Sequence, residues 1–144
     1  MTYELFGIEV NGSINLKKDY ADTFVKHMRQ KGNTFDTLYT EYCDYNDLDP
    51  DGGFETEFLE DYESDEGNLY GFYGLMATLM NDELKSPWFE YEDSCLGVAA
   101  TLPADEDDKQ NIPSRKQITE MLCDYFTGLT NEPITVPDWL EINI

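Results

Sequence analysis

The sequence is short of positive charge. Nine Lys and Arg stand against 31 Asp and Glu, giving a formal net charge of -22 over 144 residues. Proteins bind nucleic-acid backbones by releasing counterions with Lys and Arg, so direct binding to DNA or RNA is not expected. An anionic membrane surface is disfavoured for the same reason. Histidine is almost missing: His27 is the single one, and with Lys26 and Arg29 beside it, it reads as a surface residue rather than a catalyst. The three cysteines, Cys43, Cys95 and Cys123, are odd in number and widely spaced, with no Cys-x-x-Cys. That argues against a disulfide framework or zinc site and fits reduced thiols. No apolar run approaches the length of a membrane span. The segment Met1-Thr2-Tyr3-Glu4-Leu5 has neither the basic nor the apolar part of a signal peptide, so a cytoplasmic location is expected.

Enzyme signatures are missing too. There is no Gly-x-Ser-x-Gly, no P-loop, and no Gly-x-Gly-x-x-Gly after a strand. With 31 acids, a carboxylate pair suited to general acid–base work is always available, so such pairs carry no information. No enzyme, catalytic residue, cofactor or metal is therefore expected.

What is present argues for a fold. Ten Tyr, eight Phe and two Trp are too many for a solvated acidic tail. The length suits one domain spanning residues 1–144. Tyr3 to Val10 alternates as a strand, and Asn11-Gly12 signals a turn. Leu16, Tyr20, Phe24 and Met28 form a four-residue stripe, predicting a helix from Ser13 or Asn15 to Lys31. Thr34 reads as a cap for a second helix facing inward through Phe35, Leu38, Tyr39 and Tyr42. The stretch from Cys43 to Gly67 reads as loop, with Phe54, Phe58 and Leu59 in a short helix or strand. Leu69, Phe72, Tyr73, Met76, Leu79 and Met80 predict a third helix. Trp88 to Tyr91 and Cys95 to Thr101 read as a hairpin. Pro103 to Asn111 reads as an acidic loop. Ser114 and Gln117 form a capping box for a helix with Ile118, Met121, Leu122, Tyr125 and Phe126 inward. Trp139 to Ile144 reads as a last strand. The expected class is α+β: a small, mostly antiparallel sheet packed with three to four helices.

The acids are unevenly placed. From Gly32 to Leu84 there are 15 acids and no Lys or Arg, and twelve of those acids lie between Glu41 and Glu66. A second group is Asp105, Glu106, Asp107 and Asp108. Five of the nine bases, Lys17, Lys18, Lys26, Arg29 and Lys31, fall on the first predicted helix. Soluble surfaces normally mix both signs. Carboxylates three or four residues apart on a helix lie about 5–6 Å from each other, a spacing that can stand in for phosphates along one nucleic-acid strand. The expected binding surface is Asp44, Tyr45, Asp47, Asp49, Asp51, Glu55, Glu57, Glu60, Asp61, Tyr62, Glu63, Asp65 and Glu66. Tyr45 and Tyr62, in the least periodic part, are the expected contact aromatics, because arginine pairs with carboxylates and stacks on rings. Tyr39, Tyr42 and Tyr70 are expected in the core.

In composition and charge layout this chain resembles the acidic nucleic-acid mimics that phages and mobile elements use against host defence, the anti-CRISPR and anti-restriction proteins. That resemblance implies an inhibitor of a basic nuclease or nucleic-acid-binding complex in the cytoplasm of a bacterial host. An immunity protein against a basic toxin would need the same surface. A different reading is calcium. Asp47-x-Asp49-x-Asp51-Gly52 matches the opening of an EF-hand loop, with Glu57 as a further candidate ligand, but position 12 is Phe58 where a bidentate Glu is required.

Overall fold

The computed structural model describes residues 2–9, 15–63, 70–85, 89–92, 95–101, 115–131, 134 and 140–143. In chain order they form β1 (Thr2–Glu9), α1 (Tyr20–Lys31), α2 (Thr34–Tyr45), a single 3-10 turn (Pro50–Gly52), α3 (Glu55–Asp61), α4 (Gly71–Leu84), β2 (Phe89–Glu92), β3 (Cys95–Thr101), α5 (Arg115–Tyr125) and β4 (Leu140–Asn143). The strands pair antiparallel in the order β2-β3-β1-β4. β1 is central, in register with β3 from Tyr3 opposite Thr101 to Glu9 opposite Cys95, and with β4 from Thr2 opposite Asn143.

The expected sheet-centred α+β architecture needs correction, because helices dominate. Among the described residues, five α-helices of 7 to 14 residues stand against four strands of 4 to 8. Among the described side chains, the strands give the core Ile8, Phe89 and Leu96, while helices give most of the rest. The reason lies in α4. Phe72, Leu75, Met76, Ala77, Leu79 and Met80 are buried on almost every side of it. A helix that is apolar nearly all round must be buried, and α4 is covered by α2 and α3 together with β2 and β3 of the sheet. The helix count also rises because Glu55–Asp61 is helical within a stretch that reads as loop.

Two boundaries move. Leu16 is not helical: it bridges Thr130, and the Lys17 N–H donates to Leu129 O at 2.8 Å. The stripe from Leu16 therefore begins on extended chain, and α1 starts at Tyr20. The second helix runs on to Tyr45, past the point where the sequence pattern breaks. The turn at Asn11-Gly12, the acidic group Asp105–Asp108 and the Ser114 cap lie outside the described residues. No helix among those described is long and apolar enough to cross a membrane.

Asn81 of α4 holds β2. Its Nδ2 donates to Phe89 O at 2.9 Å and its Oδ1 accepts from Phe89 N–H at 2.6 Å. The side-chain amide thus acts as a strand neighbour for an edge residue whose own ring is buried. Asn81→Ala strands both backbone groups, and a loss of about 1–3 kcal/mol is expected. The urea unfolding midpoint measures it; an unchanged midpoint would mean that water replaces the amide at no cost.

Candidate partner-binding face

The expected binding surface begins with Asp44 and Tyr45 at the end of α2. The helix ends in a Schellman arrangement: Leu48 N–H donates to Cys43 O at 2.8 Å and Asp47 N–H to Asp44 O at 3.4 Å. Asp47 occupies the left-handed position, φ 56°, where glycine is the usual residue. The chain then makes the 3-10 turn, with Pro50 at its first position and Asp49 accepting from Asp51 N–H at 3.0 Å. Gly53, at φ 81°, leads into α3. Phe58 and Leu59 turn inward, which leaves Glu57, Glu60 and Asp61 outside.

The expected residues divide clearly. Asp44, Tyr45, Asp47, Asp49, Asp51, Glu57, Glu60, Asp61 and Glu63 are exposed, and Tyr45 reaches 89% exposure. Glu55 is half-buried and ion-paired with Arg29 at 3.3 Å, so it is partly neutralised. Tyr62 is buried and its hydroxyl donates to Thr78 Oγ1 at 3.0 Å, so it belongs to the core, not the surface. Asp65 and Glu66 lie outside the described residues. Tyr39 is buried and Tyr42 half-buried, as their helical phase implies. Tyr70 corrects its own reading: it is 64% exposed. It stands just before α4 and bridges Glu63, so the helical period does not govern where it points.

Two bases of α1, Arg29 and Lys31, already have carboxylate partners. Arg29 Nε donates to Asp36 at 2.8 Å, and its guanidinium also lies over the Phe35 ring. Its carboxylate bonds, the Asp36 bond foremost, raise its pKa. Lys31 bonds Glu83 at 2.9 Å and Asp124, which His27 also contacts at 3.2 Å. Burial lowers the Lys31 pKa, but the two carboxylates outweigh it and the net direction is up. Acids at the C-terminal ends of α4 and α5 therefore have cationic partners. Among the described residues no ion pair reaches Asp44, Asp47, Asp49, Asp51, Glu57, Glu60, Asp61 or Glu63. Asp61 instead accepts from Tyr42 Oη at 3.3 Å.

Negative charge at a helix C-terminus opposes the helix dipole and costs about 0.3–1 kcal/mol per group. A non-glycine residue in the left-handed region adds roughly another 1 kcal/mol. Asp44 and Asp47 incur one or both of these costs. Asp47→Gly should therefore stabilise the fold by about 1 kcal/mol, read as a higher urea midpoint. A lower midpoint would show that the aspartate is held by something these contacts do not include.

The calcium alternative is not supported by the geometry. Among the described residues no three His, Cys, Asp or Glu side chains gather as a metal-ligand group, and Asp47, Asp49, Asp51 and Glu57 are all described. Asp49 turns back onto its own loop as a cap. Phe58, at the position that needs a bidentate carboxylate, is 1% exposed.

Burial sets the behaviour of the tyrosines. It pushes the Tyr39 phenol up to about 12, against a lowering bond from Phe54 N–H, and pushes Tyr73 up to about 12 as well. A raised folded-state pKa for an acid means that the folded state holds its proton longer than the unfolded chain. The resulting stabilisation is complete below about pH 10 and lost as pH rises toward about 12. Thermal melts should fall steadily between about pH 10 and pH 12, alongside the phenolate absorbance. A flat melting temperature over that window would contradict it. Comparison with family models, with curated proteins and with solved structures finds no match for this chain.

Proposed function

We propose that this chain is an acidic protein inhibitor. It docks the end of α2, the following loop and α3 into the positively charged nucleic-acid groove of a nuclease complex. The mode is that of phage anti-CRISPR and anti-restriction proteins: carboxylates occupy the positions of phosphates. It works in the cytoplasm of a bacterial host, without catalysis and without a cofactor. One observation carries the reading: exposed acids are kept at a helix C-terminus and in a left-handed turn, where they cost stability, with no base paired to them among the described residues. A solubility face could put the same charges at sites that cost nothing. Tyr45, exposed among the carboxylates, supplies a ring for an arginine.

Competition tests this. A labelled duplex bound to a basic nuclease complex, taken from CRISPR effectors and restriction enzymes, is titrated with the protein at low and high salt. The duplex should be displaced at low salt and far less at high salt, since the attraction is screened. The protein alone should not shift the duplex. Inhibition of cleavage with the duplex still bound would overturn mimicry.

A further inference from the structure

Tyr39 lies on the inner face of α2, 2% exposed, but its hydroxyl is not spent on its own helix. It donates to Pro50 O at 2.7 Å and accepts from Phe54 N–H at 3.1 Å. Those two backbone groups stand at either end of the 3-10 turn and Gly53. One buried oxygen thus clamps both ends of the segment that carries Asp51 and follows Asp49. The other hydrogen bonds of the loop are short-range: Leu48 N–H to Cys43 O and Gly52 N–H to Asp49 O, both 2.8 Å, Asp51 N–H to Asp49 Oδ1 at 3.0 Å and Asp47 N–H to Asp44 O at 3.4 Å.

We propose that Tyr39 is a positioning residue, whose hydroxyl sets the acidic loop in its partner-ready form before any partner arrives. This rests on the reading of the face given above. Asp47, Asp49 and Asp51 repel one another, and an untied segment would spread them apart. Ordering such a loop at the moment of binding would cost affinity, and a preset loop avoids that cost. If only a fraction of molecules holds the competent loop, the apparent dissociation constant rises by the inverse of that fraction. The loop side has its own counterpart. A Cβ on Gly52 would lie 2.6 Å from the Phe54 ring, so that ring closes over Gly52 just where Tyr39 holds Phe54.

The test uses the full chain and a nona-arginine peptide as probe, at low salt and well below the melting temperature. Tyr39→Phe keeps the ring between Phe35 and Phe58 and removes one oxygen. Amide protection should fall at Gly52 and Phe54 but not at Phe58, Leu79 or Ile118, and peptide affinity should fall about tenfold. Gly52→Ala displaces the Phe54 ring from the other side and should give the same pattern, including if Tyr39→Phe does not fold. Asp47→Asn, Asp49→Asn and Asp51→Asn combined form the reference arm. If that triple variant binds weakly while Tyr39→Phe and Gly52→Ala bind as the parent does, the inference is overturned. Protection lost throughout the core overturns it as well, since Tyr39 would then be merely structural. If the triple variant binds as the parent does, the assignment of the face fails and the inference falls with it.

Discussion

Neutralising Asp47, Asp49, Asp51, Glu57 and Glu60 together should weaken binding to the basic partner by about a hundredfold to a thousandfold. Each exposed charge pair is worth about 0.2–1 kcal/mol, and five acting in one field, at about 0.6–0.8 kcal/mol each in the upper part of that range, give about 3–4 kcal/mol. Most of the loss should fall on the association rate, because rim charges act by steering. The matched control neutralises Asp19, Asp22, Asp82, Glu83 and Glu120, which changes net charge equally. Those residues lie on other elements, and Glu83 and Glu120 already face lysines. The control should cost less than about tenfold at the same salt. The two variants should also part in stability. Removing acids from the α2–α3 face relieves repulsion, while Asp51 and Glu57 give up their first-turn attraction to the helix dipole, so the fold should stay close to the parent in stability. Removing Glu83 breaks a Lys31 bond. Equal loss of binding in both variants would mean that only total charge matters, and no face would be singled out.

How much of this is legible in the sequence varies with the kind of signal. Residues Cys95–Thr101 form a strand with the expected bounds, because β-branched and small residues between turn signals leave few alternatives. The exposed acids from Asp44 to Glu63 are legible too, since carboxylates without bases cannot be buried. Long-range pairing is not. Nothing in the sequence says that Arg29 takes Asp36 and Glu55, or that Lys31 takes Glu83 and Asp124. Those pairs matter because Arg29 neutralises Asp36 and Glu55 and Lys31 is held by acids of α4 and α5, so neither base reaches the exposed acids from Asp44 to Asp51 or Glu57 to Glu63. Helical phase places Tyr39 and Tyr42 correctly. It fails at Tyr70, and Tyr62 is missed because the stretch around it reads as loop and no phase is assigned there; both flank helices rather than sit within them. Tyr62 follows α3 and is buried against Thr78, while Tyr70 precedes α4 and points outward. The weight of the helical layer is hard to read for a related reason. A seven-residue helix with four acids, Glu55–Asp61, shows only Phe58 and Leu59 as inward residues, too few for a period.

Those two residues explain the second large effect. Phe58→Ala should destabilise the fold by about 3–5 kcal/mol, the usual range for a buried aromatic cut to a methyl. For a chain of this size that lowers the melting temperature by roughly 10–15 °C. Phe58 is 1% exposed, and its ring meets four others: Phe35 at 5.5 Å, Tyr39 at 5.7 Å, Tyr42 at 5.3 Å and Tyr62 at 5.8 Å. No single neighbour can move in to fill the space without leaving another ring. Tyr45→Ala removes a larger side chain at 89% exposure and should stay within about 0.5 kcal/mol of the parent. A small loss at Phe58 would mean that α3 is held by Arg29 and Glu55 rather than by its core face, and high salt would then destabilise the parent protein in the same way. The effect also bears on calcium. Phe58 stands where a calcium loop needs its bidentate carboxylate, and its ring anchors the acidic helix against α2. Phe58→Glu should therefore unfold the region with or without calcium: the charge would be buried among four rings before any ion could reach it.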